Sequence, residues 1–140
     1  MNITRINHVA IVVNDLDEAI RSYQDKLGLS VSQRLLMPEQ EVEIAFLPAG
    51  ESAIELISPI NESSGVAKYL AKRGEGLHHL CLETPDVNAS LAELAARDVQ
   101  LITQEPIRAV EGLGFFVHPK AAHGVLIEIL EPYSHHGDAD

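Results

Sequence analysis

Four residues of kinds that hold divalent metal ions stand at matching places in this sequence: His8 and Glu55 in its first half, His79 and Glu128 in its second. His8 lies in the apolar, β-branched run ITRINHVAIVV (3–13), and His79 in a similar run at 76–84. Glu55 and Glu128 interrupt IELI and IEIL. Taken singly, such a histidine is ordinarily a hydrogen-bonded core residue and such a glutamate an edge residue. Two isolated glutamates in otherwise apolar strands are different, because a carboxylate is costly to bury unless it is paired or bound to a cation. One divalent ion held by two imidazole nitrogens and two carboxylate oxygens satisfies all four groups and leaves positions open for water or substrate.

The elements that must position these residues occur twice. A shift that lays His8 on His79 also lays Asp15 on Asp86, Leu16 on Val87, Ile20 on Leu91 and Tyr23 on Leu94, and a shift two residues longer lays the hexapeptide ending at Pro59 over the one ending at Pro132. The first copy reads as a strand over 3–13 and a helix from Asp15, whose spacing to Glu18 is that of a capping box, to a stop at Gly28. Strands near 30–37, 41–47 and 52–58 follow, separated by Pro38 and the turn at 48–50. After a polar connector (61–65) and a short helix at 66–73, the order begins again: strand 76–84, helix 86–97, and strands near 99–103, 113–118 and 124–131. Strand alternation puts His8 with Ala10 and His79 with Cys81 on one face, so each copy aims one His and one Glu to the same side.

This predicts an α+β fold of two βαβββ modules forming a curved mixed sheet around a metal cavity, with helices outside. The expected organisation is one domain over 1–140: repeat one at about 3–59, a connector helix at about 64–74, repeat two at about 76–132 and a polar tail at 133–140. The 140 residues are 46% apolar, enough for a core and against intrinsic disorder. Ten Lys and Arg against 21 Asp and Glu give a net charge of −11, which disfavours nucleic acid and anionic membrane as partners. The longest apolar stretch is far short of a membrane span, and the first residues lack a secretory pattern, so the expected location is the cytoplasm. A single cysteine, Cys81, excludes disulfide scaffolds and thiolate clusters.

The chain also resembles a known family. The stretches INHVAIVV (6–13), LMPEQ (36–40), ELISP (55–59), VAKYLAKRGEGLHHLCLE (66–83) and HPKAAHGVLIEIL (118–130) are similar to the vicinal oxygen chelate (glyoxalase/dioxygenase-like) superfamily, and within it to the methylmalonyl-CoA epimerases, also called racemases. The run from His118 to Glu128 points to the epimerases rather than their relatives. The resemblance implies an isomerase that interconverts the epimers of methylmalonyl-CoA by α-proton abstraction through a metal-stabilised enolate. His8, His79 and Glu128 are then metal ligands, and Glu55 is the fourth, at a position where family members carry Gln or Glu. His79 is chosen over His78 by this match and by the repeat register. Glu128 and Glu43 are the implied proton carriers. Cobalt is the implied metal, with manganese, nickel, iron and zinc compatible with the same donors. The implied partners are a small acyl-CoA substrate and a second copy of the chain in a homodimer.

Lys68, Lys72, Arg73 and Lys120 are candidates for the CoA phosphates, set against the plainer reading of a solvated face. His118 and His123 read as turn residues, Cys81 as a small wall residue, and His135 and His136 as part of the tail. Two other functions remain open on the same fold, and a third is disfavoured. A glyoxalase-type isomerase would use the same ligands; an extradiol dioxygenase would use iron with only three and is disfavoured, because four protein ligands crowd out two substrate oxygens plus dioxygen. A metal-free module that binds small molecules would leave the histidines and glutamates incidental.

Overall fold

A computed structural model describes residues 1–133. The chain divides into two compact units, one made of His8–His78 and the other of Met1–Asn7 with the chain from His79 onward. Both run strand, helix and then three strands, so the α+β class and the twofold βαβββ repeat stand in the structure.

In the first unit β1 (Arg5–Val12, of which residues from His8 belong here), β2 (Gln33–Met37), β3 (Val42–Ala49) and β4 (Ser52–Pro59) lie in the order β2, β3, β4, β1. β1 runs parallel to β4, and the other neighbours are antiparallel. α1 (Leu16–Arg21) starts where expected, with the Asp15 side chain accepting the Glu18 N–H at 3.1 Å. It does not run on as an α-helix to Gly28: Ser22–Lys26 widen into a π-helical turn, and the chain leaves through Gly28 at φ +79°. The apolar face of α1, carrying Leu16 and Ile20, packs with Ala45, Leu47 and Leu56 on one sheet face, and Tyr23 from the π turn packs against the same cluster. α2 (Gly65–Arg73), capped by Ser64, is the expected connector helix.

The second unit carries β5 (Gly76–Glu83, of which residues from His79 belong here), β8 (Ile127–Pro132), β7 (Gly112–Val117) and β6 (Ile107–Arg108) in that order, again with one parallel pair, β5 with β8. α3 (Val87–Ala96) is capped by Asp86, which accepts the Ala89 N–H at 3.0 Å. Val87, Phe115, Val117 and Ile129 are its buried cluster, with Leu91 and Leu94 packed on. At the edge of this unit Asn7 donates to Glu83 at 3.0 Å, and Arg5 pairs with the same carboxylate at 3.1 Å.

The expected strand at 99–103 is a correction. Residues there make one isolated bridge, Leu101 to Val117, and the strand that pairs with β7 is the two-residue β6 further along. Pro106 lies between them and has no N–H to give a ladder. β8 likewise starts later than expected, because Pro119–Ala122 form a 3-10 turn that His123 ends in the left-handed region (φ 56°).

Candidate metal centre

Register decides which side chains share a face, since directly opposed residues on neighbouring strands point the same way. In the first unit Ala10 stands opposite Glu55 and Glu55 opposite Phe46, so His8, Ala10, Glu55 and Phe46 share the face turned away from α1. In the second, Cys81 stands opposite Glu128 and Glu128 opposite Phe116, which puts His79, Cys81, Glu128 and Phe116 on the face turned away from α3. The helices cover one face of each sheet, and a histidine with a glutamate marks the other.

Within each unit the two residues meet. His8 Nε2 lies 3.0 Å from Glu55 Oε1, and His79 Nε2 lies 3.2 Å from Glu128 Oε1. All four are buried. His79 also meets the Phe116 ring edge-on, with centroids 5.5 Å apart, which limits its rotation. No buried side-chain nitrogen or oxygen lacks a hydrogen-bond partner among the described residues. A buried carboxylate against an imidazole is a satisfied pair, and it is also a pair of metal donors. Two ligands each about 2.1 Å from one ion and at right angles lie about 3.0 Å apart. The spacing in each pair, and its nitrogen and oxygen chemistry, fit two ligands of a divalent cation.

Glu43 is not brought to this face. It stands opposite Ser58, one step out of phase with Glu55, and its carboxylate takes Arg34 Nε at 2.8 Å. Arg34 also holds Asp17 of α1 at 2.7 Å, so Glu43 belongs to an ion-pair group on the helix-covered side. The two carboxylates keep the Arg34 guanidinium protonated beyond its already high ordinary value. The β3 residues that share the face of Glu55 are Val42, Ile44 and Phe46.

The remaining candidates fall outside both pairs. His78 points to the other side of its strand from His79 and packs edge-on against Tyr69, centroids 4.7 Å apart. Cys81 is fully buried, with its sulfur within 4.8 Å of a Glu128 oxygen. His118 caps the 3-10 turn, its Nδ1 accepting the Lys120 N–H at 3.0 Å, and His123 is exposed. Lys68, Lys72 and Lys120 are exposed, while the Arg73 guanidinium lies 5.6 Å from the Tyr69 ring centroid. Lys72 and Arg73 occupy the last turn of α2, where cations favour the helix C-terminus. His135 and His136 lie outside the described residues. Among the described residues no helix is long and apolar enough to cross a membrane.

Residues 7–117 match the Glyoxalase/Bleomycin resistance protein/Dioxygenase superfamily. Human mitochondrial methylmalonyl-CoA epimerase is 35% identical over 130 residues, which are 91% of this chain and 74% of that protein. The chain belongs to this superfamily and, within it, to the family of the methylmalonyl-CoA epimerases. That family places it among isomerases. The crystal structure of methylmalonyl-CoA epimerase from Mycobacterium tuberculosis superposes with a TM-score of 0.89 at 36% identity, covering 97% of this chain and 93% of that one. A second solved epimerase, in complex with methylmalonyl-CoA and NH4+, superposes with a TM-score of 0.86 at 36% identity, covering 95% and 97%.

For a member of this family, sequence reasoning missed the residues that flank the two glutamates. Phe46 and Phe116 stand opposite Glu55 and Glu128, and two residues earlier in their strands are Ile44 and Gly114. The repeat held the signal, since aligning the two Phe-containing strands sets Gly114 against Ile44.

Proposed function

We propose that this isomerase interconverts the two epimers of methylmalonyl-CoA, with His8, Glu55, His79 and Glu128 together holding one divalent cation. The observation that supports it most is the recurrence of one buried His and Glu pair on the helix-free face of each repeat, with spacings that suit metal ligands. The family likeness, and a relative solved with methylmalonyl-CoA, support the substrate. When bound, the cation supplies Lewis-acid polarisation of the thioester carbonyl and the carboxylate that flank the reacting carbon. Glu128 serves one face of the reacting carbon, taking the α-proton of one epimer or supplying that of the other, and water serves the opposite face, since inversion requires that the proton leave from one face and arrive on the other. Phe116 and Cys81 hold water away from the carboxylate. Glu43 has no part in proton transfer, because its carboxylate is engaged by Arg34 on the opposite sheet face.

Cobalt is the ion we assign, and titration of metal-stripped protein with cobalt, manganese, nickel, iron and zinc tests that order. The cytoplasm and a homodimer complete the reading, the first supported by the lone buried cysteine, the second by the resemblance alone and checked by sedimentation. The decisive experiment is incorporation of deuterium at the α-carbon of methylmalonyl-CoA in heavy water, with and without chelator. Exchange that chelator abolishes and cobalt restores is the expected result. Exchange indifferent to chelator, in protein shown to be free of metal, overturns the metal assignment, and no exchange at all overturns the substrate.

A further inference from the structure

The two repeats join their last strands differently. β3 and β4 are connected through Gly50 and Glu51 alone, whereas the chain from β7 to β8 runs through residues 118–126, including the 3-10 turn Pro119–Ala122. The extra length lies beside Glu128, which sits at the start of β8. His118 opens this connection in extended backbone (φ −63°, ψ 140°), and its N–H donates to the Gln100 carbonyl at 2.9 Å. It therefore keeps the alternation of β7 and lies on the side of Phe116, the face that Glu128 occupies. One bond holds its ring, with Nδ1 accepting the Lys120 N–H at 3.0 Å. A neutral imidazole that accepts at Nδ1 carries its proton at Nε2, so His118 offers a donor of fixed position. Among the described residues that nitrogen has no hydrogen bond or ion pair.

On this face the second unit is closed on one side of Glu128 and open on the other. Leu130 on β8 and Gly112 and Gly114 on β7 are buried, Phe116, His118 and Leu126 are half-buried, and Lys120 is exposed. The arm of a CoA thioester bound with its reacting carbon about 3–3.5 Å from the Glu128 carboxylate leaves toward the open side, past His118. The first polar group along that arm is the amide of its cysteamine unit, whose carbonyl oxygen lies about 5–6 Å beyond the thioester sulfur. His118 is diagonal to Glu128 across the strand pair, a backbone separation of about 7–8 Å, so its side chain stands where that amide passes. A single neutral N–H suits a neutral carbonyl, whereas a phosphate calls for cations. We infer that His118 Nε2–H binds the amide carbonyl next to the thioester in the CoA arm and so selects pantetheine-type thioesters over simple alkyl ones. The inference rests on the epimerase reading above and adds the residue that recognises the carrier rather than the acyl group.

The test compares kcat/KM for the methylmalonyl thioester of N-acetylcysteamine, which keeps the amide, with that for the S-pentyl thioester of the same length, which lacks it. The parent is expected to prefer the amide-bearing thioester by about three- to tenfold, the size of one net hydrogen bond. Two variants separate the donor from the cap. His118→Ser keeps an oxygen that caps the turn and is too short to reach the arm, so it is expected to lose the preference. His118→Gln gives up the cap and sets a side-chain N–H near the place of Nε2, so it is expected to keep the preference. Thermal unfolding reports whether each variant folds. Where only one folds, its ratio decides by the same sign, and where neither folds, the ratio of the parent decides. A parent ratio near one, a His118→Ser ratio equal to that of the parent, or a His118→Gln ratio as low as that of His118→Ser overturns the inference and leaves the epimerase reading intact. A parent inactive on methylmalonyl-CoA itself overturns that reading and the inference with it.

Discussion

The two repeats carry the same pair of donors and surround it differently. Around Glu55 the first unit is full: Ile44 and Phe46 close the β3 side and Ile57 the strand itself. Around Glu128 the second unit has Phe116 and then Gly114, where even a Cβ would crowd the Glu128 carboxylate at 3.0 Å. On the reading proposed above, Glu128 carries the proton while Glu55 serves only as a fixed donor to the metal. That reading gives unequal work to two carboxylates that stand at equivalent positions.

The sharpest way to break that inequality is to neutralise each carboxylate in turn. Glu128→Gln is expected to lower kcat by a factor of about 100 to 10,000, the range for removal of a general base, and to weaken metal binding as well. Glu55→Gln keeps an oxygen donor and removes no proton carrier, so its kcat is expected to stay within about tenfold of the parent. Equal losses in the two variants would abolish the distinction. Metal content by elemental analysis separates the two causes in Glu128→Gln. His79→Ala tests the register in the same assay and is expected to lose metal and activity, whereas His78→Ala removes a side chain that packs on Tyr69 from the other side of the strand and is expected to keep both.

A second way is to empty the filled half. Ile44→Ala removes a buried side chain with no partner able to move into its place, and a loss of about 2–5 kcal/mol in denaturant-derived stability is expected. A loss below about 1 kcal/mol would mean that the first unit already has slack there. Smaller still is the cost of Glu43→Gln, because both Glu43 and Arg34 are partly exposed and such pairs contribute at most about 1 kcal/mol, less at high salt. Its epimerisation rate is expected to match the parent. A hundredfold fall would put Glu43 back among the proton carriers.

The twofold repeat, the two His and Glu pairs and the aspartate caps were legible because each rests on local rules. Strand alternation puts His8 with Ala10, and an aspartate just before an apolar helix satisfies its first N–H groups. The place of Glu43 was readable as a parity and unreadable as a role, since alternation tells which residues share a face and not which face is covered by a helix. That knowledge comes from tertiary packing of Leu16 and Ile20 on Ala45, Leu47 and Leu56. The strand expected at 99–103 failed for a related reason. Val99 and Leu101 are apolar because they pack beside α3, and an apolar run looks the same whether it pairs or merely packs. Gly114 carried no signal of its own, because a missing side chain has meaning only beside what surrounds it.

The comparison also has a polar counterpart on the helix-covered sides. In the second unit Thr84 Oγ1 and Ser90 Oγ lie 2.7 Å apart, both buried, just where α3 begins. The repeat lays Val13 and Ala19 on these two residues, so the first unit makes the same junction without any hydroxyl. Ser90→Ala alone leaves the Thr84 hydroxyl without this partner in a buried place, and a loss of about 1–2 kcal/mol is expected. The double replacement Thr84→Val with Ser90→Ala removes both hydroxyls and copies the first unit. It also removes the acceptor that Thr84 Oγ1 offers the Asp86 N–H at 3.3 Å, a long and weak bond. The double variant is therefore expected to lie within about 1 kcal/mol of the parent, and to be no less stable than Ser90→Ala alone, since replacing both partners by apolar groups of similar shape is nearly neutral. If the two losses simply add, the hydroxyls act through separate contacts. The junction of strand and helix in the second unit then depends on polar groups that the first unit does without.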